Sequence, residues 1–251
     1  MAAAAIVPPP QEPTPLSEPQ RLIDTFIAPS KTFIDLRRNA SWWGPYIIIV
    51  IIGYLFIYAV DQKVTFQTVV DNSIRMQPKA QAQLDSLPPG TRQDAIRKAV
   101  TRTKFISYSV PVIALIIYVI FAGVVFASVR FAANAEVRFG AVFALIVYTR
   151  LPELLRALLS SASLFAGAST DSFDINNPLA ANGAYFMDPS ASPILRAFVG
   201  SFDIITIWTL ILVAIGIPCI AKVKRSTAFG IVAGWFIFTL LLKVGLASLS
   251  A

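Results

Sequence analysis

Five apolar segments, at about 45–61, 105–129, 139–168, 199–221 and 227–247, decide most of what this chain can fold into. A helix needs about 20 apolar residues to cross the hydrocarbon core of a bilayer, and each segment reaches or approaches that length. Composition agrees: 56% of the 251 residues are hydrophobic and 14% charged, against about 45–50% and about 25% in soluble domains. In lipid every backbone polar group needs an internal partner, which a helix supplies. The expectation is an all-α membrane protein, a bundle of five transmembrane helices with an amphipathic interfacial segment at its N-terminal end.

The flanking sequence divides the chain into a tail, 1–19, and one membrane domain, 20–251. The tail is rich in Ala and Pro and has neither the basic start nor the apolar core of a signal peptide. It is expected to be disordered. In 20–40, Leu22, Ile23, Phe26 and Ile27, and then Phe33, Ile34 and Leu36, recur at helical spacing among Lys31, Arg37 and Arg38. That pattern fits one or two short helices in the membrane interface, apolar face down; a helix docked on other protein is the alternative. Trp42 and Trp43 are candidate interfacial anchors, and Pro45 suits a first helical turn. The polar stretch 62–104 predicts a helical hairpin outside the hydrocarbon, punctuated by Pro88-Pro89-Gly90, with Thr91 and Asp94 in capping-box spacing.

Orientation follows from cations, which stay on the cytoplasmic side. An N-inside arrangement places nine Lys and Arg on each side. The short loops 130–138 and 222–226 break the tie inward, and the acidic loop 170–196 points outward. The reading is a multi-pass protein of the cell membrane, a bacterial inner membrane, with the N-terminus cytoplasmic and the C-terminus outside. The net charge of +7 is scattered beside apolar segments, which suits anionic head groups rather than nucleic acid.

The third segment carries the most informative local pattern. Pro152 lacks an N–H and clashes with the carbonyl of Tyr148, so the helix should kink or break there. Arg150, Glu153 and Arg156 stand three residues apart, and Glu153 can reach either Arg. Ionisable groups at membrane depth are costly and usually face the bundle interior. Arg150, Pro152, Glu153, Arg156 and Asp203 therefore form a candidate polar intramembrane site, with a self-satisfied ion cluster and a snorkelling interfacial position as competing readings. Asp203 is placed in the outer head-group layer, with a position facing the arginines of the third segment as the alternative, and Lys243 is expected to snorkel outward. Gly230 and Gly234 form a Gly-xxx-Gly pair, a candidate helix-packing or dimer face.

Catalytic constellations are missing from the sequence. It has no His and one Cys, Cys219, within an apolar run. That excludes imidazole chemistry, His-ligated metal sites and internal disulfides. No phosphate-cradling loop or nucleophile elbow occurs. No enzymatic activity, catalytic residue, metal or cofactor is expected.

Three stretches together resemble the Yip1 domain family. "FIAPSKTFIDLRRNASWWGPY" resembles the start of its bacterial members, "YTRLPELLRALL" its third span, and "FDIITIWTLILVAIGIPCIAKVKRSTAFGIV" its fourth span with the basic turn to the fifth. The resemblance covers about 20–248 and implies five membrane helices with a cytoplasmic N-terminal region. Eukaryotic members act in vesicle traffic and bind Rab-type GTPases; their Asp-Leu-Tyr-Gly-Pro motif is absent, Ser41-Trp42-Trp43-Gly44-Pro45-Tyr46 standing in its place. The expected role is a non-enzymatic membrane protein organising lipids, anionic ones included, or a membrane-protein partner or second copy. The alternative is a small transporter or channel using the broken third span.

Overall fold

A computed structural model describes residues 14–171, 173–188 and 191–250. The regular structure of the described residues is entirely helical. Helix α1 (Glu18–Ile27) begins inside the stretch expected to be a disordered tail. Its start is fixed by a reciprocal cap: the Gln20 amide donates to Ser17 Oγ (3.4 Å) and the Ser17 amide to Gln20 Oε1 (2.9 Å). Pro19 fits a first turn whose N–H groups have no helical partner. Residues 1–13 of the expected tail lie outside the described residues.

Helix α2 (Pro29–Asp35) completes a hairpin with α1. The hairpin docks on the bundle, α1 against α7 (Phe139–Thr149) and α2 against α10 (Ile204–Ile220), the arrangement of the docked alternative. Its inner face buries Phe33 and Leu36 together with the polar residues Arg21, Thr25, Thr32 and Asp35. Those polar groups satisfy one another, which removes the penalty that would otherwise keep them in water. Ile23, Ile27 and Ile34 form an outer apolar edge.

Three helices are each long and apolar enough to cross a bilayer: α3 (Trp43–Lys63), α6 (Pro89–Ala127) with its terminal π-turn (Ser128–Ala132), and α11 (Arg225–Ser250). A bent pair, α9 (Pro193–Gly200) and α10 (Ile204–Ile220), passes the same test together, with a 48° break between its halves. The third apolar segment is split into α7 (Phe139–Thr149) and α8 (Pro152–Phe165), and neither half alone has membrane length. The five apolar segments are therefore three continuous membrane-length helices, one bent pair that passes the same test, and one segment split into two shorter helices. The second interruption, at 201–203, lacks a proline and arises because Asp203 caps a new helix.

At 1.5 Å per residue the 39 residues of α6 span roughly 58 Å, about twice the hydrocarbon thickness. Its first turns must project beyond the bilayer, where α4 (Phe66–Arg75) and α5 (Pro78–Asp85) fold back on them. Pro88, rather than Thr91, precedes this helix, and Asp94 binds Arg97 (2.8 Å) instead of completing a capping box.

The core is built around α7, where every residue from Ala141 to Thr149 is buried. Helices α2, α6 and α10 supply most of its walls. Gly216 lets α10 approach α7, because a Cβ there would collide with the buried side chain of Leu145. A Gly216→Ala substitution is expected to destabilise the fold by about 1–3 kcal/mol through overpacking. Thermal unfolding in detergent checks this, and pairing it with Leu145→Ala should restore part of the loss.

Candidate intramembrane polar site

The break in the third segment follows from proline chemistry. Pro152 cannot donate to the Tyr148 carbonyl, so the Leu151 amide donates to it instead (3.1 Å). Arg150 and Glu153 make similar tight-turn bonds, to Val147 (3.1 Å) and from the Glu153 amide to the Arg150 carbonyl (3.0 Å). These bonds pair the Val147, Tyr148 and Arg150 carbonyls within the protein across the interruption, which suits an apolar surrounding.

The side chains around the break separate into two environments. In the first, Arg156 grips Asp203 with both guanidinium ends: Nη2 donates to Oδ1 (2.6 Å) and Nη1 to Oδ2 (3.0 Å). Its Nε donates to Glu153 (2.9 Å). Asp203 also accepts from the Thr206 amide (3.0 Å), so it caps α10, and from Asn182 (3.1 Å). Each carboxylate oxygen then accepts two bonds, close to the full capacity of the group. The Asp203 side chain is only 4% exposed. Of the two partners open to Asp203, head groups or the third-segment arginines, its side chain faces Arg156, and a doubly bonded Arg suits a buried carboxylate better than partial hydration. One ion pair ties the broken third segment to the broken fourth.

The second environment holds Arg150. Glu153 pairs with Arg156, and no described carboxylate lies within bridging distance of Arg150. The Arg150 guanidinium sits over the rings of Phe121 (5.1 Å) and Tyr118 (5.7 Å). Its Nε is buried without a hydrogen-bond partner, as is Thr209 Oγ1. Both residues border one cavity of about 320 Å³ between α6, α7, α10 and α11. Lys243 also lines it, which adds a role to the expected outward snorkelling.

The remaining candidates fall elsewhere. Trp42 packs inward, edge-on to Phe143 and Tyr46 (centroids 5.1 and 5.7 Å), so only the exposed Trp43 retains an outward position. Gly230 and Gly234 face open space, with nothing near either position of an added Cβ. Among the described residues, none packs against the position a side chain would take there. Cys219 is half-buried, its thiol donating to the Ile215 carbonyl (3.2 Å).

One polar cluster is absent from the sequence-derived candidates. Arg21, 2% exposed, binds Asp35 (2.6 Å) and Glu18 (3.2 Å); Tyr148 donates its hydroxyl to Glu18 (2.8 Å), and Arg38 reaches Asp35 (2.6 Å). Thr25 and Thr32 both donate to the Arg21 carbonyl. This network latches the N-terminal hairpin to α7. Burial pushes the Asp35 carboxyl upward, but hydrogen bonds from Arg38 and Arg21 outweigh it and hold the group below its ordinary range. Burial likewise opposes the Arg21 charge, and Asp35 reverses the effect, so Arg21 is held above its ordinary value.

Beside the latch, a second cavity of about 770 Å³ opens at the same end of the bundle. Arg37, Arg38, Arg130 and Arg138 line it, with Glu136 the one carboxylate among its lining residues. It lies where the segment between α6 and α7 meets the end of α2, so two separate stretches of sequence contribute its arginines.

No curated protein and no solved structure matches the chain. A family model for the Yip1 domain matches residues 23–246, from α1 to the last turns of α11. The match spans most of the chain, and its sequence carries apolar helices of membrane length. The chain is a membrane protein belonging to the Yip1 domain family.

Proposed function

We propose that this protein is a non-enzymatic organiser of membrane lipids and membrane-protein partners, crossing the cell membrane five times with its arginine-lined end in the cytoplasm. The observation that carries this reading is the cavity lined by Arg37, Arg38, Arg130 and Arg138. Arginine forks match phosphate geometry, and cations beside the bilayer attract anionic lipids. The uncovered α11 adds a lateral surface: none of its most apolar 18-residue window is buried within this chain. Gly230 and Gly234 on that helix allow close helix approach. The lack of His and of any nucleophile motif in the sequence supports a role without catalysis.

The test is co-purification from native membranes in mild detergent, followed by lipid quantification and crosslinking. Anionic phospholipids should be enriched over zwitterionic ones. Arg130→Gln with Arg138→Gln should abolish most of that enrichment. A repeatable crosslinked partner or self-dimer is expected too. Retained lipid identical in composition to the bulk membrane, with a monomeric crosslinking pattern, contradicts the reading.

A second reading, a small transporter or channel, draws on Arg150, which has no carboxylate partner among the described residues at the interrupted third segment. Interrupted helices at mid-depth are where transporters hold cargo. Flux of ions or small solutes into liposomes, compared with a Glu153→Ala variant, tests it; flux equal to that of empty vesicles removes it.

A further inference from the structure

The cavity beside Arg150 combines features that only one kind of ligand satisfies together. Its volume is about 320 Å³. Its walls are mostly apolar, with Phe121, Trp235 and Leu246 among them, and two cations border it, Arg150 and Lys243. No described carboxylate bridges to Arg150, although Glu153 follows three residues later and chooses Arg156. Thr209 is 2% exposed and its hydroxyl lacks a partner. A buried hydroxyl and a buried guanidinium nitrogen left without bonds each carry a desolvation penalty, and they border the same space.

We infer that this cavity binds a single-chain anionic amphiphile, a long-chain carboxylate, with its head group on Arg150 and Thr209 and its chain along the apolar walls. The guanidinium fork donates two parallel bonds to a carboxylate. The Thr209 hydroxyl donates a third. Lys243, exposed near the far end of α11, draws the anion to the mouth. Size selects the chain number. The cavity stands at the lower end of the roughly 300–1,000 Å³ that small-molecule sites occupy, too small to enclose both chains of a diacyl phospholipid. The site lies apart from the arginine-lined cavity, and the inference does not depend on the proposed organising role.

The experiment uses the full chain in nanodiscs of phosphatidylcholine, which contribute no net anion. A photoactivatable long-chain fatty acid is crosslinked, and the labelled peptides are mapped. Saturable labelling is expected on α6, α10 or α11 peptides that border the cavity. Oleate should compete at least tenfold better than oleyl alcohol, which has the chain without the charge. Arg150→Met should lower apparent affinity by about tenfold or more, as loss of a charged hydrogen-bonding partner does, while Arg150→Lys should retain part of it.

Lys243→Met provides the variant that least disturbs folding, since this side chain is exposed; a fall of several-fold is expected there. Equal competition by the alcohol overturns the inference. So does unchanged labelling in both Arg150→Met and Lys243→Met, or labelling confined to peptides away from the cavity. Competition by a monoacyl phosphate at least tenfold stronger than by oleate overturns the carboxylate assignment. None of these outcomes bears on lipid enrichment at Arg130 and Arg138, so the two proposals fail separately.

Discussion

Replacing Asp203 with Ala is expected to lower stability by about 4 kcal/mol, the largest effect of any single substitution considered. Two losses combine. Arg156 keeps its charge but loses both forked bonds, and removal of one partner from a buried pair costs about 3–5 kcal/mol. Helix α10 loses its cap from Asp203 to the Thr206 amide (3.0 Å), worth about 1 kcal/mol. Glu153 still binds Arg156 (2.9 Å) and recovers part of the charge compensation, which keeps the total near the middle of that range. A chain of this size should then unfold roughly 10 °C lower. The double variant Arg156→Met with Asp203→Leu should recover much of the loss, because it removes both desolvated charges at once. If Asp203→Ala unfolds within a degree or two of the parent, the pair does not hold the two interrupted segments together.

The second large effect is expected at the N-terminal latch. Arg21 is 2% exposed and bridges Glu18 and Asp35. Arg21→Met leaves the 4%-exposed Asp35 with Arg38 alone and should weaken hairpin docking by about 3 kcal/mol, roughly a hundredfold in the undocked population. Proteolysis by trypsin after Lys31 or Arg37, on protein solubilised in mild detergent so that both faces are accessible, reads that population directly. The rate should rise steeply while cleavage in the 62–104 region stays constant. The latch also has a pH dependence of definite sign. The Asp35 carboxyl is held below its ordinary value of 3.8, so it contributes fully above the unfolded value and its contribution is lost as pH falls through the lowered one. Arg21 stays charged throughout. Pepsin sensitivity of residues 18–40 should therefore increase below about pH 4, and Asp35→Asn should abolish the change.

Several of these features can be read from the residues in order. The apolar lengths of α3, α6 and α11 are legible because the bilayer's thickness converts directly into residue count. The break at Pro152 is legible because it follows from a missing N–H, a covalent property needing no knowledge of neighbours. What remains hidden has a common cause. Helices that are apolar on every side carry no stripe that says which face meets protein. Nothing local therefore pairs Arg156 with Asp203, 47 residues away, or Tyr148 with Glu18, 130 residues away.

The same limit explains Trp42, whose indole has an interfacial composition and a packed location. It also explains Gly230 and Gly234, whose spacing suits close packing while their own chain leaves them uncovered. Two misses had readable signals. Gly200 followed by Asp203 is a helix stop and a new N-cap, which marks the second break. Ser17 with Gln20 is a capping box, which starts α1 inside the Pro-rich stretch.

The most direct test of the five-crossing arrangement is labelling of single cysteines by a membrane-impermeant maleimide on intact cells. In a Cys219→Ala background, cysteines are placed singly at Ser30, Ser86, Ser169 and Ser226, all exposed side chains. Ser86 and Ser169 should label from outside, whereas Ser30 and Ser226 should label only after permeabilisation. Labelling of Ser30 and Ser226 from outside, or of Ser86 without Ser169, contradicts a chain whose two interrupted segments both cross with the arginine-lined end inside.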